Sequence, residues 1–317
     1  MPPMTTSGLG NFMVKNKILI TGANGFLGSY CVREFAENGC DVSVIGHNCN
    51  KTQVHLEKAI DGDININNLQ MLKDCKFDVI VHCGGGGSVG YSVENPYNDF
   101  ARSVDSTACV LEYARKYNPG ALFIYPSTPA VQGIHDNTKI KEEDPSMPVS
   151  PYGVHKKMAE ELCLSYSQYF GIKTAVIRFF SIYGEGLKKQ LLWDACNKIY
   201  FSQNNKAIFW GIGEETRDWI YVKDAVNFIT KIVESEIKSS ITINCGGGIC
   251  HTIKQTLDLL NDELKMNVKI EFNGIQKTGD PKYYWADISK AQKMNWLPEV
   301  SLETGIRSYV KWFKEQV

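Results

Sequence analysis

The chain has 317 residues, 43% of them apolar and 22% charged, with a formal net charge of -1. This is the composition of an ordinary globular protein, long enough for one large or two modest cores. It excludes nucleic-acid binding through a broad cationic face, and no apolar run reaches the ~18 residues needed to cross a bilayer, so an anionic ligand must be held by a few placed cations.

Residues 1–14 carry Pro, Thr, Ser and Gly without an apolar core and read as a disordered leader rather than a signal peptide, which predicts a cytoplasmic protein. Lys17 to Thr21 is a buried strand, followed by a helix from Gly25 to about Asn38, with Gly39 as its stop. Further strands are expected at Asp41 to Ile45, more weakly at Ala59 to Asp61, and at Phe77 to His82. One long helix is predicted from Pro96 to Lys116, ended by Asn118-Pro119-Gly120, then a strand from Ala121 to Tyr125. Pro151 suits the first turn of a helix running to Phe170, and Thr174 to Phe179 is the next strand. Apolar strands alternating with helices predict an α/β fold, a doubly wound Rossmann parallel sheet covered on both faces. After Phe180 the rhythm breaks, and only Trp219 to Asn244 returns to strand–helix–strand. The expected organisation is a dinucleotide-binding domain of residues 15–180 plus 219–246, with a smaller, discontinuous C-terminal substrate lobe of 181–218 plus 247–317. The ten cysteines include no CxxC pair, and Cys245, Cys250 and His251 lack a second ligand pair. Reduced thiols and no metal are therefore expected.

Thr21-Gly22-Ala23-Asn24-Gly25-Phe26-Leu27-Gly28 lies between the first strand and the first helix. Gly22 permits a tight turn, Gly25 lets a pyrophosphate approach the backbone, and Gly28 lets the helix pack on the sheet, with its N-terminus facing the phosphates. The acid expected after the second strand is replaced by Gly46-His47-Asn48, while Lys51 could meet a 2′-phosphate. NAD and NADP thus both remain open. Asp63 could contact the adenine edge.

Tyr152-Gly153-Val154-His155-Lys156 puts a tyrosine and a lysine four apart on one helical face. A phenol with pKa near ~10 needs a drop of about three units, roughly 4 kcal/mol, to act as a base at neutral pH. One cation about 4 Å away supplies on the order of that at an effective dielectric near 20. Lys156, with an oxidised nicotinamide ring, is expected to provide it. Ser127-Thr128 follow the fifth strand, at the edge where ligands bind in open α/β sheets; a hydroxyl there can bridge the phenol and a substrate oxygen.

These motifs occur in order with Val131-Gln132-Gly133 and Arg217-Asp218-Trp219-Ile220-Tyr221-Val222-Lys223-Asp224. The chain resembles the extended short-chain dehydrogenase/reductases, in their nucleotide-sugar epimerase/dehydratase branch, over about residues 15–315. From Gly279-Asp280 through Tyr284-Trp285-Ala286-Asp287 to Trp296 it is particularly similar to UDP-glucose 4-epimerases. The resemblance implies catalysis by Tyr152, Lys156 and Thr128. It implies cofactor contacts from Gly22, Asn24, Gly25, Phe26, Leu27, Gly28, His47, Asp63, Ile64, Gly84 and Lys156. For the nucleotide-diphosphate sugar it implies Ser88, Thr128, Ser181, Phe209 (packing on the base), Arg217 (gripping the diphosphate), Lys277 and Asp280.

The chain departs from that pattern at several points. Gly84 to Gly87 replaces a more usual His-x-Ala-Ala, which suggests backbone approach to the cofactor, with Ser88 facing the sugar. Lys277 stands for an arginine and Ser181 for an asparagine. Pro129-Ala130 stand where dehydratases carry an acid after the Thr, which argues against 4,6-dehydration. Tyr284 matches a position whose bulk restricts N-acetylated sugars, favouring an unacetylated one. The resemblance thus implies hydride removal at C4, giving a 4-keto sugar, in a 4-epimerase; a 4-dehydrogenase or 4-ketoreductase would need the same residues. A nicotinamide-sensing protein without catalysis should lack Tyr152 or Lys156, and both are present. A homodimer or higher homo-oligomer is expected through the two long helices.

Overall fold

The structure is a computed structural model and describes residues 16–49, 54–275 and 281–317. The expected leader, Lys51, Lys277 and Asp280 lie outside the described residues.

The chain begins with β1 (Lys17–Thr21), α1 (Phe26–Glu37), β2 (Asp41–Gly46), β3 (Lys58–Asp61), α2 (Ile66–Gln70) and β4 (Val79–His82). After α3 (Val89–Glu94), α4 (Pro96–Phe100) and α5 (Ser106–Tyr117) come β5 (Leu122–Ser127), α6 (Pro151–Phe170) and β6 (Lys173–Phe179). Then follow β7 (Ser181–Tyr183), α7 (Gln190–Tyr200), β8 (Lys206–Phe209), β9 (Thr216–Tyr221), α8 (Val222–Glu234) and β10 (Ile241–Cys245). The last elements are β11 (Cys250–Thr252), α9 (Ile253–Leu264), β12 (Lys269–Phe272), α10 (Ser289–Lys293) and α11 (Leu302–Lys314).

Seven strands form one parallel sheet in the order β3-β2-β1-β4-β5-β6-β10. The apolar runs explain why both faces are covered. In β1, Ile18 and Ile20 pack with Phe35 of α1 and Phe228 of α8 on one face. Leu19 points the other way, into a core with Val110, Leu111, Ala159 and Cys163 of α5 and α6. Alternation of side chains along a strand divides one continuous apolar run between the two layers. Each such fully buried aliphatic or aromatic side chain contributes roughly 1.5–3 kcal/mol.

The strand order reverses between β1 and β4, and in open α/β sheets the crevice at that switch point binds ligands. A second core is built by α7, α9 and α11, where Leu192, Ile199, Leu257, Leu260, Ile306 and Phe313 meet. It is flanked by the small sheets β11-β9-β7 and β12-β8.

The single helix expected from Pro96 to Lys116 is interrupted. A π-turn spans Ala101–Asp105, between α4 and α5. Its physical reason is a buried polar stripe at a spacing of four: Asp99, Ser103 and Thr107 are at most 1% exposed. The Thr107 hydroxyl donates to the Ser103 carbonyl at 2.5 Å, and the Ser103 hydroxyl accepts the Gly86 N–H at 3.0 Å. The wider winding keeps all three polar groups turned inward; such turns are frequent at functional sites.

At the carboxyl edge, Arg178 at the end of β6 pairs with Glu160 of α6 at 2.7 Å, with the side chains 7% and 12% exposed. Arg178 also donates to the Glu142 carbonyl at 2.9 Å, and the Ser127 hydroxyl donates to Glu160 at 2.5 Å. Breaking a buried pair on one side leaves an uncompensated charge. Glu160→Ala is expected to lower unfolding stability by about 3–5 kcal/mol, with Glu160→Gln costing less. Urea unfolding measures this, and a loss for Glu160→Ala below about 1 kcal/mol would contradict the assignment.

Candidate active site

The glycine turn closes as its spacing requires. Gly22 sits at φ +67°, and a side chain there would meet the Gly84 backbone nitrogen at 2.7 Å. A side chain on Gly28 would run into the Gly22 carbonyl, so three backbone segments cross where none can carry a Cβ. The Gly25 N–H donates to the Gly22 carbonyl at 2.9 Å. Gly25 caps α1 without a side-chain hydrogen bond, which leaves the first-turn N–H groups of the helix for an outside acceptor. Asn24 and Gly25 are exposed there, with Phe26 and Leu27 half-buried behind them. At the far end of the crevice, His47 Nε2 and Asp63 Oδ1 are 2.8 Å apart, both exposed. The Ile64 side chain occupies the space that a Cβ on Gly84 would take. The residues on this side thus form one groove along the ends of β1, β2 and β4, of a chemistry that fits a dinucleotide.

Beneath the turn lies His82, a residue that sequence reasoning passed over. It is 1% exposed, and burial, reinforced by the charge of Lys156, holds its pKa down at about 3, so the ring is neutral. Because Thr107 donates its own proton to Ser103, its oxygen is left to accept from His82 Nε2 at 3.1 Å. His82 Nδ1 then accepts from the Thr21 hydroxyl at 2.6 Å, and that oxygen accepts the Gly84 N–H at 3.2 Å. This chain fixes the tautomer and ties the end of β1 to the glycine loop.

The catalytic candidates are held by α6. Ser150 caps the helix by accepting the Gly153 N–H, and Pro151 occupies the first turn. The Ser92 hydroxyl accepts the Tyr152 N–H at 3.0 Å and donates to the Val89 carbonyl, fixing α6 against α3. The Thr128 side chain stands close enough to the Tyr152 phenol to lower its pKa. Ser127, one residue earlier, is turned to Glu160. Thr128, half-buried, is the hydroxyl on the Tyr152 side. Lys156 is 7% exposed, donates to the Pro126 carbonyl at 2.9 Å, and lies over the Tyr125 ring at 4.6 Å.

The electrostatics show what the polypeptide contributes by itself. Burial pushes the Tyr152 phenol up to about 12; the Thr128 side chain opposes this and the charge of Asp99 adds to it. Burial also pulls Lys156 down to about 8. The polypeptide alone therefore does not bring the phenol toward neutrality. Desolvation outweighs the four-residue spacing, because the Lys156 ammonium is bonded to a backbone carbonyl and not to the phenol.

The substrate-side candidates are dispersed. The Ser88 hydroxyl caps α3 by accepting the Tyr91 N–H at 3.3 Å. Ser181 is half-buried at the start of β7. Phe209 is 3% exposed and packs in the second core, 6.4 Å from Phe272, so its ring faces inward; its neighbour Trp210 is 53% exposed. Strand alternation turns the one in and the other out, which corrects the expectation that Phe209 offers an open face to a base. Arg217 donates to the Thr216 and Pro281 carbonyls at 2.7 and 3.0 Å and lies over the Tyr284 ring. Asp218 beside it is wholly buried and accepts the N–H groups of Gly247, Gly248 and Ala286. It thereby ties the loop after β10 to the segment bearing Tyr284.

Comparison with known proteins agrees with this layout. The chain is 29% identical over 264 residues to a UDP-glucuronate 4-epimerase of Thermodesulfobacterium geofontis, covering 80% of this chain and 79% of that protein. The solved UDP-glucuronic acid 4-epimerase of Bacillus cereus, in complex with UDP-glucuronic acid and NAD, superposes with a TM-score of 0.84 at 26% identity, covering 95% of this chain and all of that one. A UDP-N-acetylglucosamine 4-epimerase from Methanobrevibacter ruminantium, in complex with UDP-N-acetylmuramic acid, also gives a TM-score of 0.84, at 25% identity over 96% of this chain and all of that one. The family model for the NAD dependent epimerase/dehydratase family matches residues 18–246. The chain therefore belongs to the NAD dependent epimerase/dehydratase family.

Proposed function

We propose that the protein is an NAD-dependent 4-epimerase of a nucleotide-diphosphate sugar, working through a 4-keto intermediate. The observation that carries this reading is the buried Lys156 one helical turn from Tyr152 on α6, with Thr128 beside the phenol at the carboxyl edge of the sheet. It is supported by the 4-epimerases among the relatives.

When bound, NAD supplies the hydride acceptor and donor for C4, together with a positive ring. A positive charge about 4 Å from the phenol, at an effective dielectric near 20, favours the phenolate by about 4 kcal/mol, or about three pKa units. That is the cation the polypeptide lacks at Tyr152. Tyr152 takes the C4 hydroxyl proton as hydride departs and returns it when the keto sugar is reduced on its other face. Thr128 orients the phenol and the sugar oxygen. Lys156, freed from Pro126, holds the nicotinamide ribose, and the first turn of α1 holds the pyrophosphate. Arg217 grips the substrate diphosphate through its planar fork. Pro129 and Ala130, both buried, offer no acid after Thr128, so the reading includes no elimination. Tyr284, packed edge-on against Phe180, supports preference for an unacetylated sugar.

Three outcomes follow. Incubation with UDP-glucose, UDP-galactose, UDP-glucuronate and UDP-N-acetylglucosamine is expected to yield a C4 epimer of an unacetylated sugar, followed by NMR, without net reduced cofactor. Accumulated NADH or a released 4-keto sugar would instead make the protein a dehydrogenase. Tyr152→Phe is expected to lower kcat by roughly 10²–10⁴-fold, the usual contribution of a positioned acid–base group, with NAD still bound; unchanged turnover refutes the assignment. Gly28→Val, which forces α1 away from the Gly22 carbonyl, is expected to abolish NAD binding in a fluorescence titration; retained affinity would contradict the groove.

A further inference from the structure

The family reading leaves one buried titratable pair without a task. Asp99, on α4, is wholly buried, and its Oδ2 lies 2.7 Å from Nδ1 of His155, the residue just before Lys156. Its Oδ1 has no hydrogen-bond partner and is pressed against Gly86, where a side chain would otherwise stand. A carboxylate buried with one oxygen unsatisfied is costly, so its place beside the catalytic helix calls for an explanation. The Phe100 ring stands edge-on to His155 at 5.6 Å and shields the pair.

The charged and titratable groups around Tyr152 and Lys156 come from every neighbouring element. His82, from β4, is neutral. Tyr125 of β5 and Cys163 of α6 are pushed up by burial and carry no charge at neutral pH. Cys83, after β4, lies within electrostatic reach of Lys156. Glu160 also reaches Lys156, but its carboxylate is taken up by Arg178. Asp99 has the His155 imidazole as its partner, and it packs on Gly86 beside Gly85, where a Cβ would stand 3.9 Å from Lys156 Nζ.

We propose that Asp99, held by His155 beneath the glycine loop, is a positioning residue for the Tyr152–Lys156 pair: its buried carboxylate keeps the Lys156 ammonium charged and sets the pH range over which Tyr152 can exchange its proton. The sign is the same for both groups. A nearby negative charge disfavours phenolate and favours ammonium; at Tyr152 it adds to the effect of burial, and at Lys156 it acts with Cys83 and Glu160 against burial. Burial alone would leave Lys156 neutral over part of the working range. The Asp99 field counters this at the expense of a more reluctant phenol. His155 donates the hydrogen bond that fixes the carboxylate, and the π-turn brings Asp99 and Ser103 together against Gly86.

The role assigned to Asp99 rests on the Tyr152–Lys156 reading above, and the test separates the two. Asp99→Asn, His155→Lys and His155→Gln are prepared in the full-length, NAD-loaded protein. The Tyr152 phenolate is titrated by ultraviolet difference against the same variants carrying Tyr152→Phe, which needs no substrate. The pH profile of kcat/KM on the accepted nucleotide sugar is recorded in parallel. Asp99→Asn removes the field, and His155→Lys cancels it by setting a cation beside the carboxylate. Both are expected to move the phenolate titration down by about one pH unit. Both should also move the two limbs of the profile to lower pH: the rising limb set by Tyr152 and the falling limb set by Lys156. His155→Gln keeps the hydrogen bond and the charge, and is expected to leave both limbs in place. Limbs that stay put in Asp99→Asn and His155→Lys while only the height falls would overturn the proposal, as would an equal displacement in His155→Gln. A displaced phenolate titration in a protein that turns over no nucleotide sugar would support the role of Asp99 and overturn the epimerase reading.

Discussion

Burying the Lys156 ammonium at the carboxyl edge of the sheet is the constraint to which the rest of the site answers. The side chain is 7% exposed, rests over the Tyr125 ring, and spends one proton on the Pro126 carbonyl. A buried cation without bonded carboxylates must be supported at a distance or lose its proton. The neighbouring groups respond accordingly: His82 is held neutral, Glu160 is neutralised by Arg178, and Asp99 is buried within reach. The lysine is thus poised between a structural hydrogen bond and a ligand.

The same edge joins two otherwise separate tasks. The glycine turn and the neutral His82 chain leave the first-turn backbone N–H groups of α1 open to an anion. The α6 helix, pinned through Ser150 and Ser92, carries Tyr152 and Lys156, the proposed proton-transfer pair. Both depend on a missing side chain, at Gly22 where the Gly84 backbone approaches and at Gly86 where the Asp99 carboxylate packs. The unusually glycine-rich run from Gly84 to Gly87 therefore serves the packing of the π-turn as well as the approach of a ligand.

Much of this was legible in the residues. Continuous apolar strands, the glycine spacing and Pro151 before Tyr152 pointed to the parallel sheet, the tight turn after β1 and the start of α6. What escaped was set by contacts far apart in sequence. The polar stripe Asp99–Ser103–Thr107 has a spacing of four that passes for an ordinary helix, and only its burial against Gly86 and His82 marks a π-turn. The direction of the Tyr152 shift depends on desolvation, which spacing cannot express. Strand alternation could have separated Phe209 from Trp210, had the inward face of β8 been assigned first. Thr128 was named through the resemblance, whereas the bond of Ser127 to Glu160 joins residues 33 apart and was not legible.

The central claim is that hydride leaves C4 of a nucleotide sugar and comes back to the same carbon. It is tested most directly by turning over the accepted substrate carrying deuterium at C4 with the NAD-loaded protein, and locating the label by NMR and mass spectrometry. The account predicts that the epimeric product keeps its deuterium at C4 with no labelled reduced cofactor in solution. Loss of the label to free NADH, or an epimer with ordinary hydrogen at C4, would contradict it.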